Sequence, residues 1–132
     1  MSLNHPVSDL VTRIRNGYLA KKIIISAPVS RLRGDILQIL KDEGYILNYS
    51  KLKEKSGAEN FNIQLKYHNA EGVVNEITVI SKPGKRVYCA VDEIPLIKNG
   101  LGMVVLSTSG GVISDHEARN KKLGGEILFT IF

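Results

Sequence analysis

Residues 107–126 read STSGGVISDHEARNKKLGGE, flanked by the apolar run MVVL at 103–106 and by ILFTIF at 127–132. A short uninterrupted apolar run suits a buried strand, and a β-branched, aromatic run suits another. The segment between them carries the punctuation of a polar loop and a short helix. Ser107, Thr108 and Ser109 leave the first strand as three adjacent hydroxyls. Gly110 and Gly111 then permit a turn through positive φ and a close backbone approach. Ser114 reads as an N-cap, with Glu117 placed to complete a capping box. The helix is expected over residues 115–123, with Gly124 and Gly125 as its stop. Arg119, Lys121 and Lys122 fall in its later part, where cations suit the dipole. Small donors and acceptors are thus presented on a turn held by two strands, a design suited to reading an irregular polar surface.

Working outward, residues 73–80 read as a strand and SKPG at 81–84 as a turn, with Lys82, Lys85 and Arg86 at or beside it. Residues 87–91 resume as strand, and Pro95 limits residues 92–99 to about one helical turn. Near the start, Val7, Leu10, Val11, Ile14 and Tyr18 repeat at helical spacing and predict a helix over residues 6–20. Pro6 suits its first position, which leaves His5, a poor capper, at the N-cap, with Asn4 as a substitute. Residues 22–27 predict a strand ended by Pro28. Ser30 caps a second helix over residues 31–43, with Leu32, Ile36, Ile39 and Leu40 facing inward and Gly44 as its stop. Residues 45–53 and 60–67 predict two strands about a turn at Ser56 and Gly57. Phe61, Ile63, Leu65 and Tyr67 alternate with Asn62, Gln64 and Lys66. The fold class is therefore α+β in two lobes. Residues 1–68 form an α-β-α-β-β lobe, residues 73–132 a mainly β lobe with one short helix, and HNAEG at 68–72 the boundary.

The chain has 132 residues, 18 Lys and Arg against 13 Asp and Glu, and a net charge of +5. That balance favours a polyanionic partner, modestly. Residues 1–66 hold the whole excess; residues 67–132 carry seven cations and seven anions. Charge alone would place a nucleic acid on the N-terminal half. No apolar run approaches the ~18 residues of a membrane helix. The start lacks the pattern of a signal peptide. Cys89, the single cysteine, reads as a small buried hydrophobe in a reducing compartment. An enzymatic site does not assemble. Gly84-Lys85 lacks the rest of a P-loop, Gly100-Leu-Gly102 lacks the third glycine of a dinucleotide fingerprint, and Ser109 lacks the flanks of a nucleophile elbow. His5, His68 and His116 offer no zinc spacing, so neither metal nor cofactor is expected. Two non-enzymatic classes remain: an RNA-binding structural protein, and a protein-only interaction module.

GLGMVVLSTSGGVISDHEARNKKLGGEIL at 100–128 resembles the C-terminal signature of the bacterial-type small-ribosomal-subunit protein S-eight family. DLVTRIRNG at 9–17 and SKPGKRVY at 81–88 agree with it, as do length and motif order, over essentially the whole chain. The resemblance implies a primary binder of 16S ribosomal RNA, acting on its central domain mostly through the C-terminal lobe. The implied site is Ser107, Thr108, Ser109, Gly111, Tyr88, Glu126, Lys82, Lys85 and Arg86, with Arg13, Arg15, Arg31 and Arg33 as secondary contacts. The partners it implies are that RNA, the fifth and twelfth small-subunit proteins, and in some members the operon's own messenger, which the protein represses. It implies a monomer within the ribosome, cytoplasmic or organellar. Physical chemistry agrees on two residues. Serine hydroxyls both donate and accept, and a glutamate beside RNA is acceptable only where it accepts from base amino or imino groups. Three positions depart from the family. His5 stands where an aspartate cap is usual, Gly110 where a long polar residue is frequent, and His116 where a basic residue is common.

Overall fold

The computed structural model describes residues 5–132; the substitute cap at Asn4 lies outside them. Helix α1 (Pro6–Leu19) buries Val7, Leu10, Val11, Ile14 and Tyr18 along one stripe. His5 does cap it, since its Nδ1 accepts from the Ser8 N–H at 3.2 Å. Strand β1 (Ile24–Pro28) follows, then α2 (Arg31–Asp42), whose Ser30 cap accepts from the Arg33 N–H at 3.1 Å. Leu37 joins Ile36 and Leu40 in the interior, while Leu32 and Ile39 pack at its edge. Strands β2 (Ile46–Lys53) and β3 (Glu59–Leu65) complete an antiparallel sheet of order β1-β3-β2.

The predicted strand over residues 60–67 stops at Leu65 for a definite reason. The Lys66 N–H donates to the Tyr18 hydroxyl at 3.1 Å instead of continuing the ladder, and that hydroxyl donates to the Tyr45 carbonyl at 2.6 Å. The expected boundary at 68–72 is itself a tight hairpin, β4 (Tyr67–His68) on β5 (Glu71–Gly72), with Asn69 and Ala70 both left-handed. Two left-handed central residues match the twist of paired strands.

The strand expected over residues 73–80 shrinks to β6 (Ile77–Val79). The N–H groups of Asn75 and Glu76 both turn to the Phe132 carbonyl, at 2.6 and 2.9 Å, so the chain cannot extend before Ile77. The strand expected over residues 87–91 shrinks likewise to β7 (Tyr88–Cys89), after which a short 3₁₀ turn occupies Val91–Glu93 and a turn with left-handed Lys98 and Asn99 occupies Ile97–Gly100. Strands β8 (Met103–Thr108) and β9 (Gly111–Ser114), helix α3 (Asp115–Lys121) and strand β10 (Gly125–Ile131) finish the fold. Residues expected as loop before α3 therefore form a strand, because Val112 and Ile113 pair with Ser107 and Leu106.

Strand β10 runs between two sets of neighbours. On one side lies β8; on the other lie β6, against residues 129–131, and β7, against residues 125–126. This sheet is buried on both faces, which explains the unbroken MVVL run. Met103 and Val105 join the cluster built by α1, α2 and β3, whereas Val104 and Leu106 pack with Ala118 of α3 and Ile94.

Two consequences are measurable. Tyr18→Phe leaves a backbone donor and a carbonyl without their shared hydroxyl and lowers stability by about 1–3 kcal/mol, readable as a shift in denaturant midpoint at constant slope. His5 is held below its usual 6.5, chiefly by burial and next by Arg86, with Glu126 acting the other way. The unfolded chain therefore takes up that proton first as pH falls below about 6.5, and stability drops with it. His5→Asn, a stronger cap that does not titrate, raises the melting temperature and flattens its dependence on pH between 7 and 5.

Candidate nucleic-acid interface

Register places three of the predicted residues in one row. Glu126 is the cross-strand partner of Ser107 on β8 and of Tyr88 on β7. Directly paired residues point to the same face of a sheet, so the hydroxyl, the carboxylate and the phenol stand side by side across three strands. Tyr88 is 69% exposed, a ring on an edge strand free to stack. Nothing in the linear spacing announced this row; it exists because β10 enters between β7 and β8.

That entry depends on Gly124 and Gly125. They do not stop the helix, as the sequence suggested. Lys122, in the left-handed conformation, ends α3. A Cβ on Gly125 would fall on the Ser107 carbonyl oxygen, and one on Gly124 would lie 2.5 Å from the Cys89 carbonyl oxygen. The two glycines let β10 approach the backbones that carry the row. Burial pushes the Cys89 thiol up, so it stays protonated and inert.

The hydroxyl loop is a tight hairpin. Thr108 and Gly111 are paired across it, and Gly111 takes φ +102, which a side chain rarely adopts. The three hydroxyls have different duties. Thr108 Oγ1 donates to the Gly111 carbonyl at 2.9 Å and accepts from the Gly110 N–H at 3.1 Å, so it holds the turn. Ser109 is exposed and Ser107 half-buried, and neither hydroxyl is hydrogen-bonded to a described residue. Helix α3 braces the hairpin from behind. Ser114 caps it, accepting from the Glu117 N–H at 3.2 Å, but Glu117 pairs with Lys121 instead of closing the capping box. Asp115 takes the Val104 N–H at 3.2 Å and Arg119 at 2.7 Å. One step beyond the Val105–Ser114 pair, its carboxylate continues the ladder that β9 has left.

On the other side of the row, Lys82 and Lys85 exchange backbone hydrogen bonds at 3.1 and 2.9 Å across the Pro83-Gly84 turn. Arg86 sits 3.2 Å from Glu126 Oε2, and that same oxygen accepts from the Ser81 hydroxyl. Ser81 is 1% exposed. Sequence reading passed over it, because a serine before a turn carries no local mark of a buried contact forty-odd residues away.

The remaining cations divide sharply. Arg13 lies 2.9 Å and Arg33 3.3 Å from Asp9. Their guanidiniums also donate to the Ser26 and Pro28 carbonyls of β1. Arg15 donates to the Ile77 carbonyl and ties α1 to β6. Arg31 is exposed at the start of α2. Arg119 is taken up by Asp115 and the Ile94 and Pro95 carbonyls, and Lys121 by Glu117. Lys82, Lys85 and Lys122 are exposed and form no salt bridge among the described residues.

The family model described as Ribosomal protein S8 matches residues 5–132. Over the full 132 residues, and the full length of each relative, identity is 50% to the small ribosomal subunit protein uS8 of Nitrobacter hamburgensis. It is 50% to that of Azorhizobium caulinodans and 49% to that of Rhodopseudomonas palustris, again over the full length.

Gly125 and Gly110 predict opposite outcomes. Gly125→Ala forces a methyl onto a backbone carbonyl and costs about 1–3 kcal/mol as overpacking. Gly110→Lys meets the Leu123 Cδ1 tip at 3.0 Å and the Thr108 Oγ1 at an ordinary 3.7 Å, at a φ outside the left-handed region. It leaves the melting temperature within a few degrees and steepens the salt dependence of RNA binding by about 0.7–0.9. Thermal melts and filter-binding titrations of both variants check the contrast.

Proposed function

This chain belongs to the ribosomal protein S8 family and is a structural constituent of the small ribosomal subunit; from that premise we propose that it binds the central domain of 16S ribosomal RNA, with residues 73–132 carrying the recognition. Its family is one of ribosomal structural proteins, not enzymes. The observation that carries the reading is the Ser107–Glu126–Tyr88 row. A carboxylate among RNA-facing groups repels phosphate and is useful only as an acceptor from base edges. Hydroxyls at Ser107 and Ser109 bond ribose or base groups in either sense, and the Tyr88 ring stacks on an unpaired base. Such a surface suits a distorted helix with splayed bases, not a regular duplex.

Lys82 and Lys85 on their turn supply phosphate contacts beside the row, with Arg86 and Lys122 as the other near cations. Roughly two to four such contacts give a shallow salt slope of about −2 to −4. Binding of this kind fixes the local RNA fold early in assembly. A messenger segment presenting the same base edges would compete for the same surface, the route to repression of its own operon. The fifth and twelfth small-subunit proteins are its expected neighbours, with the protein working as a monomer in cytoplasmic or organellar ribosomes.

Footprinting on deproteinised small-subunit RNA tests the whole reading: one compact protected junction supports it, and diffuse protection reduces the chain to a non-specific basic binder. Titrations at several salt concentrations separate the two kinds of contact. Ser109→Ala weakens the specific complex by about 1 kcal/mol or more while leaving the slope unchanged. Lys85→Ala lowers the slope by up to ~1 and weakens target and non-target RNA alike. If Ser109→Ala is silent and Lys85→Ala abolishes discrimination, the hydroxyl loop is structural and the basic turn is the reader.

A further inference from the structure

A single buried hydroxyl links the basic turn to the carboxylate of the row. Ser81 is 1% exposed, and its Oγ uses its one donor and one of its acceptor sites: it accepts from the Val87 N–H at 3.1 Å and donates to Glu126 Oε2. The first bond closes the base of the turn that carries Lys82 and Lys85. The second fixes Glu126, whose side chain is 18% exposed. Arg86, at 3.2 Å, reaches the same oxygen from the solvent side with a side chain 45% exposed. Both donors are therefore spent on Oε2, and Oε1 has no partner among the described residues.

From this geometry, which rests on the base-reading role proposed for Glu126, we infer that Ser81 is a positioning residue for RNA discrimination. It holds the carboxylate so that Oε1 faces the row between Ser107 and Tyr88 as an acceptor for a base amino or imino group. It also keeps Arg86 from drawing the carboxylate toward solvent. An exposed arginine pair alone is a weak restraint, because two mobile side chains lose entropy in holding one geometry. A neutral donor buried at the strand base has no such freedom. Without the hydroxyl, Glu126 follows Arg86 outward and the acceptor leaves its place in the row.

The test is a double-mutant cycle on the full chain. The probes are deproteinised 16S ribosomal RNA and an unrelated RNA of equal length. Ser81→Ala weakens the target complex roughly tenfold, in line with losing one to two hydrogen bonds that order the site. It leaves the unrelated RNA and the salt slope unchanged. In the Glu126→Ala background, Ser81→Ala causes no further loss of discrimination between the two RNAs, because that part of its effect runs through the carboxylate and not through the Val87 N–H bond. A merely structural serine would cost the same in both backgrounds, and that additive result overturns the inference while leaving the role of Glu126 intact. If Glu126→Ala itself leaves target affinity unchanged, the base-reading role fails and takes this inference with it. Thermal melts of every variant accompany the titrations. Should Ser81→Ala fail to fold, Ser81→Cys, close in volume and only a weak donor, carries the same cycle. It must then show a loss in the same direction that vanishes without Glu126.

Discussion

The approach of β10 to the backbones of β7 and β8 is the constraint on which the rest of this structure depends. It is a steric matter before it is anything else. The carbonyls of Ser107 and Cys89 occupy the space where side chains at 125 and 124 would begin. With glycine there, one strand takes neighbours on both sides, and the sheet acquires a centre. The apolar interior then follows, since alternate residues of β8 serve a different cluster on each face. The polar row follows too, because the same strand that closes the sheet brings Glu126 between Ser107 and Tyr88.

Charge is distributed by the same logic of local need. The N-terminal half holds the formal excess, yet much of it is occupied. Arg13 and Arg33 converge on Asp9 and cover carbonyls along the free edge of β1, a use that discourages another strand from adding there. Arg15 ties a helix to a strand. The C-terminal half has no net charge, but its turn at 82–85 and the end of α3 leave lysines exposed. Net charge by segment therefore misdirects, and what counts is which cations have no carboxylate or carbonyl to serve.

Helix α3 illustrates how a short element can be stable and useful at once. Its length gives it little intrinsic stability. Asp115 compensates by joining the helix start to the Val104 N–H and to Arg119, and Ala118 packs into the smaller cluster. The helix thus stiffens the hairpin that presents Ser109 without offering a ligand site of its own, its first turn already holding two carboxylates.

Period, caps and turn chemistry determined much of this protein from the sequence alone. The stripe from Val7 to Tyr18, the caps at Ser30 and Ser114, the alternation through Phe61, Ile63 and Leu65, and the doubly buried MVVL run are local patterns with local causes. They fixed the α+β class and the order of the long elements. The hydroxyl loop and Glu126 were likewise visible as residue types whose chemistry suits RNA. Strand length was not: β3 ends where the Tyr18 hydroxyl intercepts the ladder, and β6 starts only after two N–H groups have turned to Phe132. Nor was the duty of each polar group, since Thr108 folds back on its own turn, the arginines of α1 find partners, and Ser81 is buried against Glu126. Tertiary structure decided these because a donor takes whichever acceptor the fold brings within about 3 Å, and that distance is set by strands far apart in the chain.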